Sequence, residues 1–232
     1  LSILNKLGLS IVIVHGGGPR IKRELDKSNI QSKFIKGLRV TDEKIINIVE
    51  SVLIDFNNDI IDSLKKFGTD AVSIHTKKNN IINVTPEAKE LGFVGIPNKI
   101  DNNLIEKILN KKQVPIISPL GLGNDNHPYN INGDTAAGAI AKSLRSRRLL
   151  LMTNVEGVLD KDKKLIDEIS SSEILKMIED NIITEGMIPK INTCLDAVNN
   201  GVTAVGIIDG RKQHSILFEI FSDKGSGTLI RK

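Results

Sequence analysis

The chain has no tryptophan, a single tyrosine (Tyr129) and a single cysteine (Cys194). One cysteine excludes a disulfide framework and a cysteine zinc site; its helical spacing within Ile191–Val198 reads as a small core residue. So few aromatics leave the core to isoleucine, leucine and valine. They also leave no rings interleaved with the lysines, so Lys77, Lys78, Lys111 and Lys112 read as solvated turn residues and no nucleic-acid partner is expected. No apolar run approaches the roughly 20 residues of a membrane span, which argues against a membrane partner. With no secretory signal legible, the expected setting is cytoplasmic. No Pro/Ser-rich linker interrupts the sequence, so one domain is expected.

Several enzyme motifs are missing too. G-x-x-x-x-G-K-S/T does not occur, which excludes a P-loop, and neither Gly16-Gly-Gly18 nor Gly121-Leu-Gly123 has the G-x-G-x-x-G spacing of a dinucleotide fold. His15, His75, His127 and His214 show no metal-ligand spacing, so no protein metal site is expected, and G-x-S-x-G is absent. The formal charge of +4 and pI near 9.0 are mild and suit a small anionic substrate.

What is present is a chain of 232 residues, 40% hydrophobic, long enough to bury roughly 70–75% of its unfolded surface. Ile11–Val14 reads as a buried parallel strand, followed by His15-Gly-Gly-Gly-Pro19 and a helix through Ile21, Leu25 and Lys27. Such a strand, glycine turn and helix start expose backbone N–H groups to an anion, although the same pattern also serves as a plain tight turn.

Asp42-Glu43 opens a helical pattern through Phe56, and a further run from Ile60 stops at Gly68. Ala71–Ile74 reads as a strand, Ile81–Val84 and Phe93–Ile96 as short antiparallel strands, Asn102–Leu109 as a helix and Val114–Ser118 as a strand. Gly121–Asn132 reads as a loop before a small-residue helix. Leu149–Met152 and Ala204–Ile208 read as strands, Ser171–Ile178 and Met187–Val198 as helices. This alternation predicts an α/β fold, a three-layer αβα sandwich around a mostly parallel central sheet. Ligands of such sheets lie at the carboxyl ends of the strands, where the loops after Val14, Ser118 and Met152 carry Gly, Asn and Asp.

Three polar features recur at those ends. Asn130, Asn132 and Asp134 alternate before a helix that Asp134 or Thr135 can cap. Arg39, in Gly37-Leu-Arg-Val-Thr-Asp42, is either a surface residue or a planar fork for a carboxylate. Lys190 stands in the first turn of a helix, against the macrodipole, where an anionic ligand would account for it.

Taken in order, these segments resemble the amino-acid-kinase family over essentially the whole chain. The resemblance is to the members that phosphorylate N-acetyl-L-glutamate. It is carried by Val12-Ile-Val-His-Gly-Gly-Gly-Pro19, Gly37–Asp42, Tyr129-Asn-Ile-Asn-Gly-Asp134, Leu151-Met-Thr-Asn-Val-Glu-Gly-Val158 and Glu185-Gly-Met-Ile-Pro-Lys190. It implies transfer of the ATP γ-phosphoryl group to the side-chain carboxylate, with Mg2+ bridging the ATP phosphates, for arginine biosynthesis. The implied roles are Gly17 and Gly18 amides on substrate and transferring phosphoryl, Arg39 on the α-carboxylate and Asn130 on the acetylamino end. Lys190 would neutralise phosphate charge, and Asp134 would orient lysines. Asn154, Gly157 and the Ile182–Thr184 segment would line the nucleotide pocket. The implied lobes are residues 1–145 for acetylglutamate and 146–232 for nucleotide.

The tail from His214 to Thr228 resembles arginine-inhibited, hexameric members, implying L-arginine as feedback inhibitor near His214, Glu219 and Gly225 and a homo-oligomer, dimer or hexamer. The competing reading makes Ile216, Leu217, Ile220 and Phe221 core and the rest a turn. Departures are equally specific. The family's first strand and its Lys/Gly loop have no counterpart here and are expected upstream of Leu1, so the 232 residues alone are expected to be nearly inactive. Gly133 replaces a usual alanine, and Ile74–Asn80 lacks the usual glycine-containing turn. A kinase for another carboxylate such as glutamate, or a non-catalytic ligand-binding member, are the alternative readings.

Overall fold

The computed structural model describes residues 1–183 and 187–232, which divide into two units, Leu1–Ala136 and Ala137–Lys232. In the first, α1 (Ser2–Lys6) leads to β1 (Ile13–Val14), α2 (Gly18–Lys27) and the hairpin β2 (Phe34–Ile35) and β3 (Leu38–Arg39). Then come α3 (Glu43–Lys66), β4 (Ala71–Ile74), β5 (Ile82–Pro86), β6 (Gly95–Ile100) and α4 (Asn102–Asn110). The strands β7 (Val114–Ile117), β8 (Leu120–Leu122) and β9 (Pro128–Asn130) complete it, and α5 (Gly133–Ser143) carries the chain into the second unit.

Every residue of β7 is buried, as a central parallel strand requires. It pairs in parallel with β1 (Val14 opposite Ile117) and with β4 (Ile74 opposite Ile117), so the three strands end together at their carboxyl edge. β5 and β6 pair antiparallel and join β8 and β9 in a second sheet, order β6-β5-β8-β9. α3 packs its apolar face against α2, with Ile21, Leu25, Ile46, Val49 and Leu53 buried; its far end meets β7 through Ile61 and Leu64.

Two expectations change here. The helical runs on either side of Asn57 form one helix of 24 residues, capped by the Asp42 carboxylate on the Ile45 amide and stopped at Gly68, whose φ is +71°. The polar break at Asn57 is no interruption because that side chain turns inward, as described below. The segment Gly121–Asn132 is not a loop but the hairpin of β8 and β9, with Gly121 opposite Tyr129. Its Gly and Asn residues serve the turn at 123–127 and a close approach, since a Cβ on Gly121 would lie 2.5 Å from a Val84 methyl.

The second unit holds β10 (Arg148–Thr153), β11 (Glu168–Ser170), α6 (Ser171–Glu179), α7 (Ile188–Asn199), β12 (Ala204–Asp209), α8 (Ser215–Phe221) and β13 (Gly227–Arg231). β10 and β12 are parallel, with Thr153 opposite Asp209, and β13 lies antiparallel beside β12 and parallel to β11. Ser170 and Glu173 form a capping box on α6. The core is aliphatic, built from Leu149, Leu151, Ile191, Val205, Ile207 and Ile230, and Cys194 is a buried member of it. Among the described residues no helix is long and apolar enough to cross a membrane.

Candidate active site

The carboxyl end of β1 runs directly into the glycines. Gly17 is the N-cap of α2 and Gly18 its first residue, followed by Pro19, where a missing N–H costs nothing. A Cβ on Gly17 would fall 2.5 Å from Leu53 Cδ2, whereas Gly16 and Gly18 face open space. The turn is therefore pressed onto α3 at one residue and open at the other two. Gly133, first residue of α5, lies against it: a Cβ there would stand 3.7 Å from Gly16 Cα, an ordinary contact that an alanine could make. The N-termini of α2 and α5 thus converge on the glycine turn, bringing two positive dipole ends to one place.

Behind the turn lies a polar network that sequence reasoning missed. His15, Asn57, Ser73 and Ser118 are all buried. His15 Nδ1 sits 2.8 Å from the Gly16 carbonyl and Nε2 3.1 Å from Ser118 Oγ. Asn57 Nδ2 donates to the Ile116 carbonyl (2.9 Å) and lies 3.3 Å from His15 Nε2, while its Oδ1 accepts from Ser73 (2.8 Å). Burial pushes the His15 pKa down; the Gly16 carbonyl opposes this and the charge of Arg20 adds to it. The available signal was a histidine at a strand end with no metal-ligand spacing to any other.

Arg39 ends β3 and is buried, with its guanidinium hydrogen-bonded to Ser32 Oγ and stacked over Phe34 at 4.8 Å. Burial lowers its pKa from the usual arginine value, and it is not the solvated surface residue of the alternative reading. A ladder joins it to Asn130: Phe93 N–H donates to the Thr41 carbonyl (2.7 Å), and Asn130 N–H donates to the Phe93 carbonyl (2.9 Å). Asn132 Oδ1 accepts from the amides of Asp134 (2.9 Å) and Thr135 (3.1 Å). The cap of α5 is therefore Asn132, not Asp134 or Thr135, because only the residue before the helix can turn its side chain back onto these amides. Asp134 is left half-buried in the first turn, beside the glycine turn's neighbour Gly133.

In the second unit Asn154 follows β10 and is exposed, while Gly157 is buried where a Cβ would meet Thr228 Oγ1 at 2.5 Å. Close packing and a φ of +152° both favour glycine at 157, and Thr228 Oγ1 accepts the neighbouring Val158 amide at 2.7 Å. Lys190 is half-buried in the first turn of α7. Thr184 lies outside the described residues. Beside Thr153, at the end of β12, Asp209 takes Nε and Nη2 of Arg211 at 2.9 Å each. That pair, which holds the Asp209 carboxyl down to about 2 through hydrogen bonds from Arg211, was not singled out in the sequence.

In the tail, Glu219 is buried, accepting Arg148 Nη1 (3.2 Å) and the Ser226 amide (2.9 Å), and Gly225 (φ +69°) packs onto its carboxylate. His214 is exposed, with φ +62°, at the start of α8. The core reading of this segment fails at Phe221, which is 59% exposed; Ile216, Leu217 and Ile220 are half-buried.

Residues 1–209 match the family model described as amino acid kinase family. The chain belongs to the amino acid kinase family. Within it, the chain is 55% identical over 230 residues to the acetylglutamate kinase of Pelagibacter ubique, covering 99% of this chain and 80% of that one. The acetylglutamate kinase of Clostridioides difficile is 47% identical over 237 residues, covering 100% and 83%. A crystal structure of a Streptococcus mutans protein superposes with a TM-score of 0.85 at 31% identity, covering 98% of this chain and 88% of that one. As an amino acid kinase the chain is a phosphotransferase, and ATP use follows from that membership.

Proposed function

We propose that the chain acts as an acetylglutamate kinase, transferring the ATP γ-phosphoryl group to the side-chain carboxylate of N-acetyl-L-glutamate in arginine biosynthesis. The observation that carries this reading is the convergence of two helix N-termini on the glycine turn after β1. Phosphoryl transfer depends mainly on positioning and charge stabilisation, which such a cradle supplies. The carboxylate is already deprotonated and needs no general base. One of its oxygens forms the new bond to phosphorus as the bond to the ADP oxygen breaks, giving an acyl phosphate and ADP.

In this reading the Gly17 and Gly18 amides hold substrate and transferring phosphoryl. Arg39, desolvated and oriented by Ser32 and Phe34, takes the α-carboxylate, and Asn130 the acetylamino end. Lys190 neutralises charge on the phosphates, Asp134 orients the lysines, and Asn154, Gly157 and Thr184 belong to the nucleotide pocket. These assignments give acetylglutamate to the lobe of residues 1–145 and nucleotide to residues 146–232. Among the described residues no three acidic, histidine or cysteine side chains cluster as a metal cage. The reading takes Mg2+ to arrive with ATP, held chiefly by phosphate oxygens.

For L-arginine as an inhibitor at His214, Glu219 and Gly225, the Arg148 guanidinium already occupies Glu219, so the effector enters by exchange with it. The proposal extends to a homo-oligomer, dimer or hexamer, working in the cytoplasm.

An ADP-release assay on the full-length gene product, with N-acetyl-L-glutamate against L-glutamate, tests the activity. The expected preference in kcat/KM is about 100-fold or more for the acetylated substrate, the scale on which a site rejects a ligand that leaves its polar groups unpaired. A preference for free glutamate would sink it, and binding of both ligands without ADP release would point to a non-catalytic member.

A further inference from the structure

The buried network behind the glycine turn has a direction. The Gly16 carbonyl can only accept, so the His15 Nδ1 at 2.8 Å carries the ring proton. Nε2 is then a bare acceptor for the Ser118 hydroxyl at 3.1 Å, and that hydroxyl in turn accepts from Asn57 Nδ2 at 3.1 Å, which also lies 3.3 Å from Nε2. Asn57 has no freedom to flip, since its Nδ2 donates to the Ile116 carbonyl and its Oδ1 accepts from Ser73. A chain of fixed donors therefore runs from β7 and α3 through the imidazole to one carbonyl of the glycine turn. The described residues contain no cis peptide. In a trans peptide the C=O and the following N–H point in opposite directions. Holding Gly16 O toward His15 thus aims the Gly17 N–H away from the network, and that N–H meets no protein acceptor among the described residues.

We propose that His15 is a positioning residue for phosphoryl transfer: as the neutral Nδ1–H tautomer it locks the Gly16–Gly17 peptide so that the Gly17 N–H is preorganised for the anion. This deepens, and rests on, the reading of the glycine turn as the phosphoryl cradle. A preorganised donor avoids reorganisation at the moment of transfer, so its loss falls on kcat more than on binding.

Two substitutions separate the two ring nitrogens. His15→Asn places an amide N–H near the Nδ1 position and can still donate to Gly16, while His15→Gln places its amide near Nε2 and leaves the Gly16 carbonyl unheld. The expected result is a fall in kcat of about 10- to 100-fold for His15→Gln, less than the roughly 100- to 1,000-fold cost of removing a transition-state donor because the Gly17 N–H is loosened and not deleted. N-acetylglutamate affinity by titration calorimetry stays within about threefold, and His15→Asn keeps kcat within about fivefold. Equal losses in both variants, or the reverse order, would overturn the proposal. Nitrogen-15 spectra of the wild-type imidazole near neutral pH decide the tautomer independently: a proton on Nε2 overturns the proposal even if neither variant folds. Absence of N-acetylglutamate kinase activity in the wild-type full-length gene product, in which the variants are also compared, would instead refute the proposed function, and the tautomer would still test the lock.

Discussion

His15 is buried, with its Nε2 beside the Ser118 hydroxyl and the Asn57 amide, where an added charge is costly. Arg20, itself over the Phe56 ring that edges against His15, adds a repulsive charge. Burial is the largest of these effects, and all but the Gly16 hydrogen bond lower the pKa below its ordinary 6.5. The sign of the pH effect follows. The unfolded chain takes up the proton first as pH falls below about 6.5, so the native state loses stability from there down to the lowered native pKa. Between about pH 7.5 and 5.5 the urea midpoint is expected to fall, and to fall less in His15→Asn, which has nothing to protonate. His75, also pushed down by burial, is common to both proteins and cancels in the comparison. An identical pH dependence for the two would show that His15 is protonated as readily in the native protein as in the unfolded one.

At the level of elements, α3 is the wall on which the site is built. Leu53 offers its side chain to Gly17, its carbonyl accepts from Ser118 at 3.4 Å, and one turn later Asn57 enters the polar network. Gly17→Ala would press a methyl onto a fully buried Leu53 and should cost about 1–3 kcal/mol by denaturant unfolding, as overpacking does. Gly16→Ala, one residue away, enters open space and should leave the midpoint within about 0.5 kcal/mol. Similar losses at both positions would mean that the turn needs glycine for its backbone and not for its contact with α3. None of this was legible in the sequence, where three adjacent glycines look alike. Hydrophobic period and caps did reveal β4, β7, α4, α6 and the stop at Gly68, because those signals are local. The continuity of α3 through Asn57 and the pairing of β8 with β9 depend on long-range partners, the Ile116 carbonyl and the Val84 side chain, that no local pattern encodes.

For the whole molecule, the order of motifs along the chain carried more of the site than any one motif. Gly17, Gly18, Arg39, Asn130 and Asp134 all fall within Leu1–Ala136, and Asn154, Gly157 and Lys190 within Ala137–Lys232. The sequence could place these residues at strand ends by topology, but it could not show that Asn132, not Asp134, caps α5, or that packing against Thr228 and a φ of +152° both call for glycine at 157. If acceptor and nucleotide are divided between the units as proposed, each ligand should slow amide exchange in its own set of segments. N-acetyl-L-glutamate alone is expected to protect residues 15–20, 39–41 and 130–135, and Mg-ATP alone residues 153–158 and those following β12 at Asp209–Arg211. Near 100 times Kd, binding adds about 2.7 kcal/mol to native stability, enough for about a 100-fold slowing of amides that exchange through global opening. Amides that open locally respond only if the ligand touches their own segment, so local protection reports the site and global protection only the affinity. Acetylglutamate protecting 153–158 while leaving 15–20 unchanged would reverse the assignment of the two lobes, without touching the membership of the family on which it rests.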